Sequence, residues 1–226
     1  MIKYRLILFI FIIFSTEIFA QNYEERKYEK PVILSMLLLG TSFMLDSSVK
    51  NFVQKNRSES LDDLFSFFNQ FGDKYIIAVP VTGYVVGHYY GNKELKESSL
   101  LGLTSSLLTV TVIFSSKALI SRKRPDYSDN DSFPSGHTGY SFSIFGSYSE
   151  YYNRYYYIFY SIPIMVGLSR IYKNKHYLSD TVAGGIIGLG SVYVVKNLIG
   201  KYLFDNSTLN VSLSYNSFSF TLKRYF

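Results

Sequence analysis

The 226-residue chain contains no cysteine, so no disulfide framework holds it together and the redox state of its compartment is left unconstrained. It has only three histidines, and no cluster of cysteines or carboxylates at metal-ligand spacing accompanies them, so neither a metal centre nor another cofactor is expected. No internal repeat or low-complexity linker divides it, and its length suits one domain or one compact helical bundle with short appendages. Charge of one sign is not extreme. The net charge of +6 suits an anionic membrane surface or a phosphorylated substrate, and no nucleic-acid-binding module is recognisable, so nucleic acid is not an expected partner. Long uninterrupted apolar runs are scarce as well. Several segments fall short of the about 20 residues that a full membrane span needs, and the mean hydropathy is only +0.08.

What is present is a set of basic, hydroxyl and acidic residues around two of the histidines. Lys117 precedes Arg124-Pro125 by seven residues, about two helical turns, so the two cations are predicted to share one helix face and point at one anion. Pro125 then breaks the helix. Pro134-Ser135-Gly136-His137 leads into the apolar run Tyr140 to Tyr148 and is predicted to start a helix, with free N–H groups and the positive dipole end turned to a phosphate. Ser169-Arg170 is followed by His176 and Asp180, four apart and predicted to meet on one helical face. A carboxylate there accepts from one ring nitrogen and leaves the other free to attack.

Each fragment alone has an ordinary reading. Lys117 and Arg124 are suited to a solvated helix end, and His176 with Asp180 to a structural pair. Taken together as K-x6-R-P, P-S-G-H and S-R-x5-H-x3-D, they resemble the type 2 phosphatidic acid phosphatase and vanadium haloperoxidase superfamily over roughly residues 31 to 200. The resemblance implies a helical bundle, His176 as nucleophile forming a phosphohistidine, Asp180 orienting it and His137 protonating the leaving oxygen. It also implies that Lys117, Arg124, Ser135, Gly136 and Arg170 hold the phosphate oxygens. Phosphoryl transfer needs mainly positioning and charge stabilisation, which these groups supply without metal. The neighbouring Arg122, Lys123, Lys173 and Lys175 are accounted for by the same phosphate site. His88, in the aromatic stretch Tyr84 to Tyr90, has no motif around it and is expected to serve packing or an interface.

The expected fold class is all-α, a six-helix bundle embedded in or associated with a membrane, with a short C-terminal β-hairpin. The apolar segments are Pro31 to Leu45, Tyr75 to Tyr90, Ser98 to Ile120, His137 to Tyr148, Tyr155 to Ile171 and Tyr177 to Ile199. Between the first two, Leu61, Leu64, Phe65, Phe68 and Phe71 recur at helical spacing, predicting an amphipathic helix that lies on a membrane surface or against the bundle. Residues 1–20 read as a signal peptide or a retained anchor, residues 21–204 as the helical domain and residues 205–226 as the tail. In the tail, Leu209, Val211, Leu213 and Tyr215 alternate, and the parity changes at Phe218, Phe220 and Leu222, as a two-residue hairpin turn requires.

A cleaved signal peptide combined with six full crossings puts the motif loops in the cytoplasm, whereas in membrane members of the superfamily they face outward. Either the first segment is retained, or Pro31 to Leu45 does not span, or the body rests on a membrane. Envelope localisation with the site facing the periplasm is the expectation. The activity expected is hydrolysis of a membrane lipid phosphate or diphosphate: phosphatidic acid, phosphatidylglycerol phosphate, undecaprenyl diphosphate and lipid A phosphates all fit the resemblance. A soluble periplasmic acid phosphatase, a vanadate-dependent haloperoxidase and a non-catalytic lipid-phosphate binder are the alternatives.

Overall fold

Hydrophobic periodicity and its interruptions divide the chain into seven α-helices among the described residues of a computed structural model, which cover 29–200 together with the backbone of 207–214 and 217–224. They are α1 (Glu29–Lys55), α2 (Glu59–Asn69), α3 (Ala78–Tyr89), α4 (Lys93–Ile120), α5 (Gly136–Ser149), α6 (Tyr156–Tyr172) and α7 (Leu178–Val194). Six overlap the apolar segments and α2 is the amphipathic one. The possible signal peptide or anchor lies outside the described residues. In the tail, strands β1 (Ser207–Ser214) and β2 (Ser217–Arg224) run antiparallel, with Ser214 opposite Ser217.

Helix α1 continues to Lys55, well past its predicted end at Leu45. The reason is a stripe that a hydropathy reading discards. Asp46, Lys50 and Gln54 are spaced four apart on one face, and each finds a partner at one end of the bundle, Arg122 and the Pro125 carbonyl in the loop after α4 and the Tyr172 carbonyl at the end of α6. Polar residues with built partners extend the helix instead of ending it.

The central helix is α5, which packs against α4, α6 and α7. Its contact with α7 depends on close approach: a Cβ added at Gly184 would lie 2.4 Å from the Ser135 carbonyl oxygen, and one at Gly188 would lie 2.5 Å from that of Gly139. Against α4 the contact is lined by small hydroxyl residues, with Ser106 and Ser143 joined at 3.2 Å and Ser99 bonded to the Tyr148 hydroxyl at 3.0 Å. Small residues let backbones come together where hydrophobic driving force between helices is weak, as in a lipid environment. Three helices, Pro31–Lys55, Lys93–Ile120 and Leu178–Leu198, are long and apolar enough to cross a membrane. The outer face of α1 fits that setting, with Ile33, Leu34, Leu37, Leu38, Met44 and Leu45 exposed.

Helix α2 lies against the bundle, one of the two placements expected for it. Phe65 packs on Tyr172 of α6 with ring centroids 4.5 Å apart, while Leu64 and Phe67 remain exposed. Two short 3-10 turns, Gln70–Gly72 and Lys74–Ile77, then carry the chain under α5, and a Cβ at Gly72 would meet the His137 Cβ at 2.8 Å. Helix α4 starts at an Asn92 cap whose side chain accepts from the Leu95 N–H, and it stops at Ser121, which adopts a left-handed conformation with φ of 47°.

Candidate active site

The C-terminal ends of α1, α4 and α6 meet the N-terminal ends of α5 and α7 at one end of the bundle, and the two sequence-predicted histidines lie there. Helix α5 begins at Gly136, as predicted, with Ser135 as its cap residue. Its first intrahelical bond is the Gly139 N–H donating to the Ser135 carbonyl, so the N–H groups of Gly136, His137 and Thr138 have no partner on their own helix. Ser135 is fully buried. Its hydroxyl pairs with that of Thr138 at 2.9 Å and its N–H donates to the Asp180 carbonyl at 2.9 Å, which ties the start of α5 to α7.

His176 sits in the loop between α6 and α7. The end of α6 fixes that loop: the Arg170 carbonyl accepts from the N–H groups of both Lys175 and His176. The imidazole is buried, and its Nδ1 lies 2.6 Å from the Ser132 carbonyl oxygen, which can only accept. Nδ1 therefore carries the proton, leaving Nε2 with a free lone pair that accepts from Arg124 Nη1 at 3.3 Å. Asp180 Oδ2 stands 3.7 Å from Nδ1, beyond hydrogen-bonding range but close enough to favour a charged ring. Burial lowers the imidazole to about 4, with Arg170 and Arg124 adding to the effect and Asp180 opposing it. The ring is thus a neutral base, with its nucleophilic nitrogen held beside a guanidinium.

Around it, Arg170 of α6 is buried and bonded through Nη1 to Asn69 of α2 at 2.6 Å, but its Nε is buried without a partner. No carboxylate forms an ion pair with Arg170 among the described residues, and burial together with Arg124 lowers its guanidinium to about 10. A buried cation without a counterion is costly unless an anion comes to it. Arg124 donates to Asp129 and Lys117 to the Asp131 carbonyl. His137 is half-buried, and its ring forms no hydrogen bond among the described residues. Burial, reinforced by Arg170 and His176, lowers it to about 3.

Two sequence expectations need correction. Lys117 and Arg124 do not share a helix face, because α4 ends at Ile120 and the left-handed Ser121 turns the chain before Arg124. His176 and Asp180 do not share a helix face either: α7 starts at Leu178, His176 precedes it, and Asp180 lies in its first turn. Three neighbouring cations also turn away from a phosphate role. Lys175 pairs with Asp126 at 2.6 Å and Lys173 reaches Ser66 at 3.1 Å. Arg122 bridges two buried carboxylates, donating to Asp180 at 2.6 Å and to Asp46 at 2.7 Å, and both carboxylates with Tyr177 hold its charge on despite burial. Sequence reasoning missed Asp46, Ser132 and Asn69, and it gave Arg122 to the phosphate site instead of to the two carboxylates. The only signal for Asp46 was an acidic residue directly after an apolar run, which reads as a helix end. His88 is exposed, stacked beside Tyr84, and lies near the start of α4, at the opposite end of that helix from Lys117.

Two known proteins of solved structure share the fold: LpxE of Aquifex aeolicus, with a TM-score of 0.57 at 21% identity over 66% of this chain and 93% of that one, and a transmembrane PAP2 type phosphatidylglycerolphosphate phosphatase from Bacillus subtilis, with a TM-score of 0.63 at 20% identity over 75% of this chain and 94% of that one. A lipid A 1-phosphatase of Porphyromonas gingivalis is 35% identical over 75 residues, 30% of this chain, and the match spans 16% of that relative's length. Residues 98–203, from the second turn of α4 past the end of α7 and so including all three motifs, match the model of the PAP2 superfamily.

Proposed function

We propose that this protein is a metal-independent phosphatase that hydrolyses a membrane lipid phosphate or diphosphate through a phosphohistidine on His176. The observation that carries the reading is the pairing of a neutral His176, its Nε2 directed at Arg124, with a buried Arg170 that lacks a carboxylate partner. A phosphate between them receives the two guanidinium groups, Lys117 and the free N–H groups at the start of α5, while Ser135 fixes that helix start.

Nε2 then donates its lone pair to phosphorus as the bond to the leaving oxygen breaks, and protonated His137 gives its proton to that oxygen. The substrate's negative charge opposes the cations that depress His137, so the acid is charged when substrate is bound. Water next attacks the phosphohistidine, giving a proton to His137 and releasing phosphate from Nε2.

A lipid substrate is supported by the three apolar helices and by the lipid named for the P. gingivalis relative. With those helices crossing a membrane, a site at the bundle end would lie at the level where a headgroup meets water. We place that end on the periplasmic side, with a six-span bundle and the tail hairpin as accessory. The test is phosphate release by detergent-purified protein in excess EDTA from a panel of lipid phosphates and one soluble aryl phosphate. Selective lipid turnover, lost in His176→Ala, is expected. Equal turnover of the aryl phosphate, or full loss of activity in EDTA, contradicts the reading.

A further inference from the structure

Asp180 is the negative charge beside His176, yet it has a closer partner. Arg122 Nη1 lies 2.6 Å from Asp180 Oδ1, whereas the imidazole Nδ1 stands 3.7 Å from Oδ2. Coulomb attraction favours the nearer cation, and a permanent guanidinium at that range neutralises a carboxylate. With Arg122 as its only company, Asp180 would offer little field to the imidazolium that forms when Nε2 attacks phosphorus.

A third group alters the balance. Asp46 of α1, distant in sequence, accepts from Arg122 Nη2 at 2.7 Å, from the Ser179 hydroxyl at 2.6 Å and from the Ser179 N–H at 2.8 Å. The guanidinium is closed from above by Tyr177, 4.2 Å from its ring centre, and by Phe43 at 5.4 Å. Side-chain exposures of 12% for Arg122, 8% for Asp46 and 0% for Asp180 leave almost no water to screen the three charges. Two carboxylates share one cation, and the cluster keeps a net charge of minus one.

We propose that Asp46 is a positioning residue of this site, dividing Arg122 between two carboxylates so that the cluster keeps the negative charge that steadies the His176 imidazolium during attack. The proposal rests on His176 being the nucleophile. It also accounts for α1 continuing past Leu45: the helix extension delivers a carboxylate to the motif loops. Asp46 and Arg122 lie outside the motif positions that carry the family resemblance, and neither was assigned this part by the sequence reading.

The charged and titratable groups facing His176 are Asp180 from α7, Arg124 from the loop after α4, Arg170 from α6 and His137 from α5. Against that fixed background, changes at Asp46 and Arg122 should shift the imidazole in opposite directions. The experiment uses full-length protein in detergent with a short-chain phosphatidic acid as probe, and follows His176 by NMR in histidine-labelled samples, where only three rings contribute. Asp46→Asn is expected to lower kcat by about 30-fold with KM within threefold, and Arg122→Met to raise the His176 pKa by about one unit.

The deciding variant is Asp46→Asn combined with Arg122→Met, which returns the cluster to minus one. It should recover at least about tenfold of the kcat lost in Asp46→Asn, because charge and not the ion pair itself is what the site needs. A double variant no faster than Asp46→Asn, or an unmoved His176 pKa in Arg122→Met, overturns the proposal. Should Asp46→Asn fail to fold, the Arg122→Met titration decides by itself. The NMR readout needs no turnover. Activity retained in His176→Ala defeats the nucleophile reading separately, whatever the titrations show.

Discussion

The two histidines of the site live in opposite kinds of surroundings. On the His176 side every polar group is engaged: Nδ1 with the Ser132 carbonyl, Nε2 with Arg124, and Asp180 with Arg122, Ser132 and the Tyr177 N–H. On the His137 side the groups are left open, with a ring that makes no hydrogen bond among the described residues, a helix start with unpaired N–H groups and an Arg170 Nε without a partner. One side is complete within the protein's own groups, and on the proposed reading the other is completed by the anion of the substrate. A nucleophile must be held in one tautomer before substrate arrives, whereas the groups that bind and protonate phosphate gain by meeting their charge only when it comes.

Removing the proposed nucleophile breaks the complete side. His176→Ala should lower phosphate release by at least about a thousandfold while vanadate or phosphate affinity, measured by calorimetry, stays within several-fold. Loss of binding together with turnover would mean that the two sides are not separate. The largest effect on the open side is expected from Arg170→Met, which removes the uncompensated cation: kcat/KM should fall about a hundredfold or more, and thermal stability without phosphate should hold or rise, since a buried unpaired charge is gone. A marked drop in stability would show that Arg170 is structural. Asn69→Ala sharpens the same side. It frees Nη1 of Arg170, and a loss of about tenfold in kcat/KM is expected, with the melting temperature changed by a few degrees at most.

The remaining predictions concern stability. Gly184→Ala puts a methyl group 2.4 Å from the Ser135 carbonyl, which is backbone and cannot swing away, so a loss of about 1–3 kcal/mol is expected in chemical unfolding. Unchanged stability would mean that α5 and α7 are not in close contact. Acidification tests the burial of the two rings in a graded way. Burial depresses His176 to about 4 and His137 to about 3, both below the ordinary value of 6.5, so the unfolded chain binds more protons across that window. Stability should be full above about pH 6.5 and decline as pH falls toward 4 and then 3, and added phosphate should oppose the decline. A melting temperature that rises on acidification from pH 6.5 would contradict the burial of these rings.

The sequence made the candidate residues legible because motif residues are read by type and spacing, and Pro134-Ser135-Gly136-His137 marks its own helix start. Geometry between motifs was less legible. Lys117 and Arg124 were spaced for one helix, but Ser121 takes a left-handed turn that no residue-type rule assigns to serine, so both reach the site from different elements. His176 and Asp180 were likewise spaced for one helix, but the boundary falls between them and the loop brings them together. Asp46 escaped notice for a related reason. Hydropathy treats a carboxylate as the end of an apolar helix, while its partners, Arg122 and Ser179, are 76 and 133 residues away in the chain.

The central claim is that Nε2 of His176 takes the phosphoryl group. The most direct measurement mixes purified protein with a lipid phosphate labelled in the phosphoryl group, quenches in alkali within a turnover, and maps the label by digestion. The account predicts alkali-stable, acid-labile label on the peptide containing His176, absent from His176→Ala. Label on another residue, or full turnover through many quench times with no label at all, would contradict it.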